Sequence, residues 1–100
     1  MKPLLCIAHR GGPAAGPTPL PENSLAAIKR ALELGVYAVE IDVFQIHGEL
    51  FVTHDRRLGR VVSGQGVITA QSLDYLHAQR LENCEPLPRL QQVLELVGSR

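Results

Sequence analysis

Apolar positions along the chain fall into short blocks separated by glycine- and proline-rich breaks. Leu4-Leu5-Cys6-Ile7-Ala8 is a continuous apolar run stopped by His9-Arg10-Gly11-Gly12. Such a run predicts a strand buried on both faces, with its polar residues at the C-terminal end. Gly11 to Pro21 holds three glycines and four prolines among its eleven residues, which excludes helix and central strand and predicts a long loop. Leu25, Ile28 and Leu32 then recur at helical spacing, with Lys29, Arg30 and Glu33 opposite them. Asn23 or Ser24 supplies the N-cap of this helix, and Gly35 its C-terminal stop.

Ala38-Val39-Glu40-Ile41-Asp42-Val43 is a β-branched run carrying two carboxylates, and on a strand Glu40 and Asp42 share one face. His47-Gly48 reads as a turn into a second such run, Leu50-Phe51-Val52-Thr53, which ends in His54-Asp55. Arg56 to Gly66 is polar and without period, and predicts a loop. Ser72 caps a short helix carrying Leu73, Leu76 and Leu81. Pro86 and Pro88 break the chain before a last amphipathic helix with Leu90, Val93, Leu94 and Val97, closed by Gly98. The order strand, helix, strand, strand, helix, helix predicts an α/β fold with a mainly parallel sheet. In such folds ligands bind at the C-terminal ends of strands, where His9, Arg10 and His54 stand. Glu40 and Asp42 occupy the later half of their strand, so five polar residues from three strands are expected on one edge.

Composition narrows the partners. A chain of 100 residues, 45% hydrophobic, supports one small core and hence one domain or part of one. Ten acidic and ten basic residues cancel, so no net field draws the protein to nucleic acid or to an anionic membrane. No segment approaches the ~20 apolar residues of a membrane span, and no leader pattern opens the chain. The expected location is the cytoplasm, with no stable membrane anchor. Cys6 and Cys84 match no metal-ligand spacing and read as reduced, structural residues.

Two carboxylates on one strand face repel unless the face is solvated, as on an edge strand, or holds a hard divalent cation, Mg²⁺ or Ca²⁺. Imidazoles ending two apolar strands suit a general base and a general acid, the roles His9 and His54 are placed to take. His47 and His77 read as ordinary surface or packed residues. Arg10 offers a bidentate fork to a phosphate or carboxylate, or else forms a surface ion pair. Arginine, two histidines and a metal together suit displacement at phosphorus.

The motifs His9-Arg10-Gly11, Pro21-Glu22-Asn23-Ser24, Glu40-Ile41-Asp42-Val43 and His54-Asp55 stand in the order and at roughly the spacing of one family's signature. Through them, and through Pro88 to Leu94, the sequence resembles the glycerophosphodiester phosphodiesterases over nearly its whole length. The resemblance implies a (β/α)8 TIM-type barrel of the PLC-like phosphodiesterase kind, with residues 1–100 forming its N-terminal portion, roughly the first three βα units. It implies that His9 and His54 are the acid/base pair, that Glu40 and Asp42 bind the metal, and that Arg10 holds the substrate phosphate. His54 is a metal ligand instead in the description of some members. Glu22 would lie near the metal, its other reading being a helix-start acid favoured by the dipole. The implied substrate is a small glycerophosphodiester. Attack by its glycerol 2-hydroxyl would give a cyclic phosphate that water opens, leaving glycerol 3-phosphate and a free alcohol.

Several positions depart from the family pattern. The loop after His-Arg-Gly is longer, Ser24 stands for threonine, Gln45-Ile46-His47-Gly48 replaces Thr-x-Asp-Gly, and Arg89 and Gln92 replace a threonine cap and a glutamate. A barrel of this kind needs about 250 residues, and the family's third metal carboxylate comes from a later strand. The 100-residue chain alone is therefore expected to have little activity, and to self-associate through open sheet edges. The alternatives are a non-catalytic barrel portion, and a related phosphodiesterase acting on lysophospholipids (a lysophospholipase D) or on phosphoinositides.

Overall fold

The structure, a computed structural model, describes residues 4–98. Strand β1, Ile7–Ala8, pairs in parallel with β2, Ala38–Val39, in the register Ile7 to Ala38 and Ala8 to Val39. Ladder bonds extend this pairing, since Tyr37 N donates to Cys6 O at 2.8 Å and Glu40 N to Ala8 O at 2.9 Å. The apolar run at the start of the chain is not buried on both faces as expected. Leu4 and Ile7 are 94% and 61% exposed, and Ala8 alone of the run is buried. The cause is that β1 has β2 as its one strand neighbour among the described residues, so its other edge has no cover.

Between these strands runs α1, Leu25–Glu33. Of the two candidate caps Ser24 is the one used: its Oγ accepts from Ala27 N at 3.0 Å. Gly35, at φ 81°, takes the left-handed position that ends the helix. The loop before α1 is tied to it by Arg30, whose guanidinium donates to the carbonyls of Thr18 and Pro13.

The expected mainly parallel sheet is only partly present. Beside the parallel pair stands an antiparallel hairpin, β3 (Val43–Ile46) with β4 (Glu49–Val52), joined by His47-Gly48. Both turn residues have positive φ, 49° and 83°, the I′ geometry that matches strand twist. His47 therefore fills a position usually held by asparagine or aspartate, so the departure from the family turn leaves the turn intact. Glu40 and Asp42 lie on the crossing between the two pairs rather than inside one strand. Glu40 is bonded through its backbone to β1 and the turn after it, whereas Asp42 O accepts from Thr53 N at 2.9 Å, beyond β4.

Strand β4 separates two apolar clusters because successive strand residues point to opposite faces. Phe51 packs with Ile46, Val62, Ile68, Leu76, Leu81 and Leu87, while Val52 packs with Ile28 and Val93. Helix α2, Leu73–Ala78, starts at Ser72, whose Oγ accepts from Tyr75 N at 3.1 Å. Leu81, expected on this helix, lies past its end; it is buried all the same, through an antiparallel bridge to Val62. Helix α3, Leu90–Val97, keeps half of a capping box, since Gln92 Oε1 accepts from Arg89 N at 2.9 Å. Gly98 closes it in right-handed geometry, φ −57°.

Residues 56–66 form no helix or strand, yet they are held down. Leu58 N donates to Gly66 O at 2.9 Å and Ser63 N to Arg80 O at 3.0 Å. Cys6 and Cys84 are both free and both exposed, which removes the packing role expected of them. No helix among the described residues is long and apolar enough to cross a membrane.

Candidate active site

His9, Arg10 and Gly11 form a single 3₁₀ turn directly after β1. Arg10 sits at φ 51°, a left-handed conformation that costs a non-glycine residue of order 1 kcal/mol and that gathers at functional sites. Asn23, at φ 59°, is held the same way, and Asn23 N donates to Arg10 O at 2.6 Å. Gly11 between them is required on two counts: its φ is 78°, and a Cβ there would stand 3.0 Å from Ile28 Cγ1. The turn and the start of α1 are thus locked together, and Arg10 is aimed across the ends of the strands.

Four of the five polar residues expected on one edge are joined directly. His9 Nε2 lies 3.8 Å from Glu40 Oε2, and the Arg10 backbone N donates to Glu40 Oε1 at 3.3 Å. Arg10 Nη2 lies 3.0 Å from His54 Nε2. The fifth, Asp42, is reached through Asn23, whose Nδ2 donates to Asp42 Oδ2 at 3.1 Å. Asn23 is almost fully buried, and this bond satisfies its amide. Glu22 accepts from Arg10 Nη1 at 3.4 Å.

Two further residues belong to the constellation. Asp55 Oδ1 lies 2.9 Å from His54 Nδ1, and Arg60 clasps Asp55 through Nε to Oδ2 at 2.6 Å and Nη2 to Oδ1 at 3.0 Å. Arg60 Nη2 also donates to Glu22 Oε2 at 2.9 Å. The hydrogen bonds from Arg60 hold the Asp55 carboxyl far below the usual carboxylate range, and those same bonds push the Arg60 guanidinium up. Asp55 carried a sequence signal, its adjacency to His54. Arg60 carried none, lying in a polar stretch without period.

Two sets of donors suit a hard divalent cation by their chemistry. Glu22, His54 and Asp55 offer ligand atoms within 4.8 Å of one another, but both carboxylates already face guanidinium groups. Glu40 and Asp42 have no lysine or arginine side chain against them among the described residues. They fit a cation as hard oxygen donors whose charge is not otherwise matched. An open groove is lined by Ile7, Ala8, His9, Arg10, Pro13 and Glu22; Glu40 and Asp42 are not part of its lining.

The chain is similar in sequence and in fold to known proteins. The glycerophosphodiester phosphodiesterase of Caldanaerobacter subterraneus subsp. tengcongensis is 36% identical over 105 residues, which cover 96% of this chain and 41% of the relative. The human glycerophosphodiester phosphodiesterase 1 is 41% identical over 64 residues, covering 63% of this chain and 18% of the relative. Among solved structures, an Oleispira antarctica phosphodiesterase in complex with the product sn-glycerol-3-phosphate matches with a TM-score of 0.80 at 29% identity, covering 96% of this chain and 40% of that one. A glycerophosphodiester phosphodiesterase from Agrobacterium tumefaciens matches with a TM-score of 0.81 at 28% identity, covering 94% and 42%. The chain therefore spans about two fifths of such relatives, and its fold is a partial α/β portion of their barrel. Residues 9–99, which begin at the first site histidine and take in the last helix, match the Glycerophosphoryl diester phosphodiesterase family, and the chain belongs to that family.

Proposed function

We propose that the whole protein hydrolyses glycerophosphodiesters to glycerol 3-phosphate and an alcohol, with His9 and His54 as the acid/base pair and a divalent metal, Mg²⁺ or Ca²⁺, held by Glu40 and Asp42. The observation that carries this reading is that Arg10 joins the two halves of the site: its backbone N donates to Glu40 Oε1 at 3.3 Å, where His9 also lies, and its guanidinium stands 3.0 Å from His54 Nε2. A phosphodiester anion drawn to Arg10 would then meet the His54 imidazole, with His9 in the same turn as Arg10. One histidine takes the proton of the attacking hydroxyl; the other gives a proton to the alkoxide as the P–O bond to the alcohol breaks. Arg10 holds the non-bridging oxygens, and Glu22 holds Arg10. Bound in the site, a divalent cation supplies charge neutralisation at phosphorus. The Oleispira relative was solved with sn-glycerol-3-phosphate, which supports a substrate of the glycerophosphodiester class.

A second reading makes His54 a metal ligand with Glu22 and Asp55, favoured by the closeness of their donor atoms. Metal dependence and metal placement are tested together. Release of glycerol 3-phosphate from glycerophosphocholine is expected to fall to background in EDTA and to return with Mg²⁺ or Ca²⁺. Glu40→Gln with Asp42→Asn should raise the metal concentration for half-activation by at least about tenfold; if Glu22→Gln alone does so while the double variant does not, the second reading holds.

For the 100-residue chain by itself we propose self-association through the β1 edge, where Leu4, Leu5 and Ile7 are exposed. Sedimentation velocity should show dimers or larger species at micromolar concentration, and Ile7→Lys should shift them toward monomer. A monomeric wild-type chain would remove the proposal.

A further inference from the structure

Arg60 lies in none of the four motifs, and its side chain is 55% exposed, the setting of an ordinary surface ion pair. Its geometry is not ordinary. Its bonds close a ring of five side chains. Arg60 Nη2 reaches Glu22 Oε2 at 2.9 Å, and Glu22 Oε2 faces Arg10 Nη1 at 3.4 Å. Arg10 Nη2 faces His54 Nε2 at 3.0 Å, and His54 Nδ1 faces Asp55 Oδ1 at 2.9 Å. Asp55 returns to Arg60 through a fork of 2.6 and 3.0 Å.

The ring fixes which nitrogen of His54 carries the proton. A guanidinium has only donors, so opposite Arg10 the Nε2 atom of His54 must accept. The proton of the neutral ring is then on Nδ1, where it is donated to Asp55. Asp55 can accept it in this geometry because both of its oxygens are held by the Arg60 fork. A bidentate fork restricts carboxylate rotation in a way a single charge does not. Without Arg60 the Asp55 carboxylate can turn toward solvent, and it stands near Glu22 with no cation between them.

We infer that Arg60 is a positioning residue for His54, acting through Asp55 to hold the imidazole as the Nδ1–H tautomer with a proton-free Nε2 facing Arg10. The inference rests on His54 being an acid/base group of the proposed reaction. Arg60 touches no substrate in this role; it sets the state and direction of the group that does.

The test uses the 100-residue chain labelled with ¹⁵N-histidine, in metal-free buffer at about pH 8, where a free imidazole is neutral. Long-range ¹H–¹⁵N spectra report the Nδ1 and Nε2 shifts of His54 apart from those of His9, His47 and His77. Wild type should show a single Nδ1–H tautomer at His54. Arg60→Ala should give averaged shifts of mixed tautomers, Arg60→Lys should recover part of the difference, and Arg57→Ala, in the same exposed segment, should change nothing. A His54 that keeps its Nδ1–H tautomer in Arg60→Ala overturns the proposal. If Arg60→Ala fails to fold, Arg60→Gln takes its place with the same two outcomes. No substrate enters this measurement, so its failure is a separate result from failure of the phosphodiesterase assay.

Discussion

Replacing His9 by alanine in the whole protein is expected to lower kcat for glycerophosphocholine by about 10²–10⁴-fold, the usual worth of a general acid or base, with KM changed by no more than about threefold. The split follows from where His9 stands. Its side chain is 71% exposed and its charged neighbour among the described residues is Glu40 at 3.8 Å, so truncation removes no packing and leaves no buried group unpaired. Arg10, proposed to hold the phosphate, keeps its own partners Glu22 and His54. A loss in kcat therefore reports a lost proton transfer rather than lost binding or a lost fold. Thermal unfolding of His9→Ala should coincide with wild type. Activity within about threefold of wild type would take His9 out of the chemistry, while a fall in kcat accompanied by a lower melting temperature would show that the exposed imidazole holds structure.

How much of this could be read from sequence differs by element, for physical reasons. Local signals read well: the Ser24 and Ser72 caps, the helical spacing of Leu25 and Ile28 and the His47-Gly48 turn all appear in the structure, because each is decided by residues within a few positions. Burial of the first strand was misread, since an apolar run reports what a segment can bury and not whether a neighbour covers it; Ile7 has β2 on one side and no strand on the other among the described residues. Leu81 kept helical spacing but left the helix, because Gln79 at ψ 160° turns the chain into a bridge with Val62. In the site, four short motifs marked His9, Arg10, Glu22, Glu40, Asp42 and His54; the fold joins His9 to Glu40, Arg10 to Glu22 and His54, and Asp42 to Asn23, and ties the three sets together through the Arg10 and Asn23 backbone. Arg60 was invisible. Its contacts span 38 residues to Glu22, a separation that no local pattern encodes.

Phe51→Ala is expected to have the largest effect on stability, a loss of about 3–5 kcal/mol. Phe51 is fully buried in the larger apolar cluster, and its neighbour Val52 anchors the other, so β4 is the wall between two cores. The lost ring also leaves a void against His77, whose ring centroid stands 5.6 Å away. Small domains have total stabilities of about 5–15 kcal/mol, and a 100-residue chain whose described strands form two separate two-stranded sheets belongs near the low end. The variant should therefore be largely unfolded, or show a urea midpoint at less than half that of wild type, whereas Phe51→Leu should lose no more than about 1.5 kcal/mol. An unchanged midpoint for Phe51→Ala would mean that the two clusters do not carry the fold. The same change discriminates at the site, because His54 lies just beyond β4 and His9 just beyond β1. Loosening β4 should release His54 from Arg10 while leaving the His9–Glu40 pair, just beyond β1 and β2, in place. Phe51→Ala is thus expected to lose activity and stability together, and His9→Ala to lose activity alone; the contrast separates the residues that hold the barrel portion from those proposed to act on phosphorus.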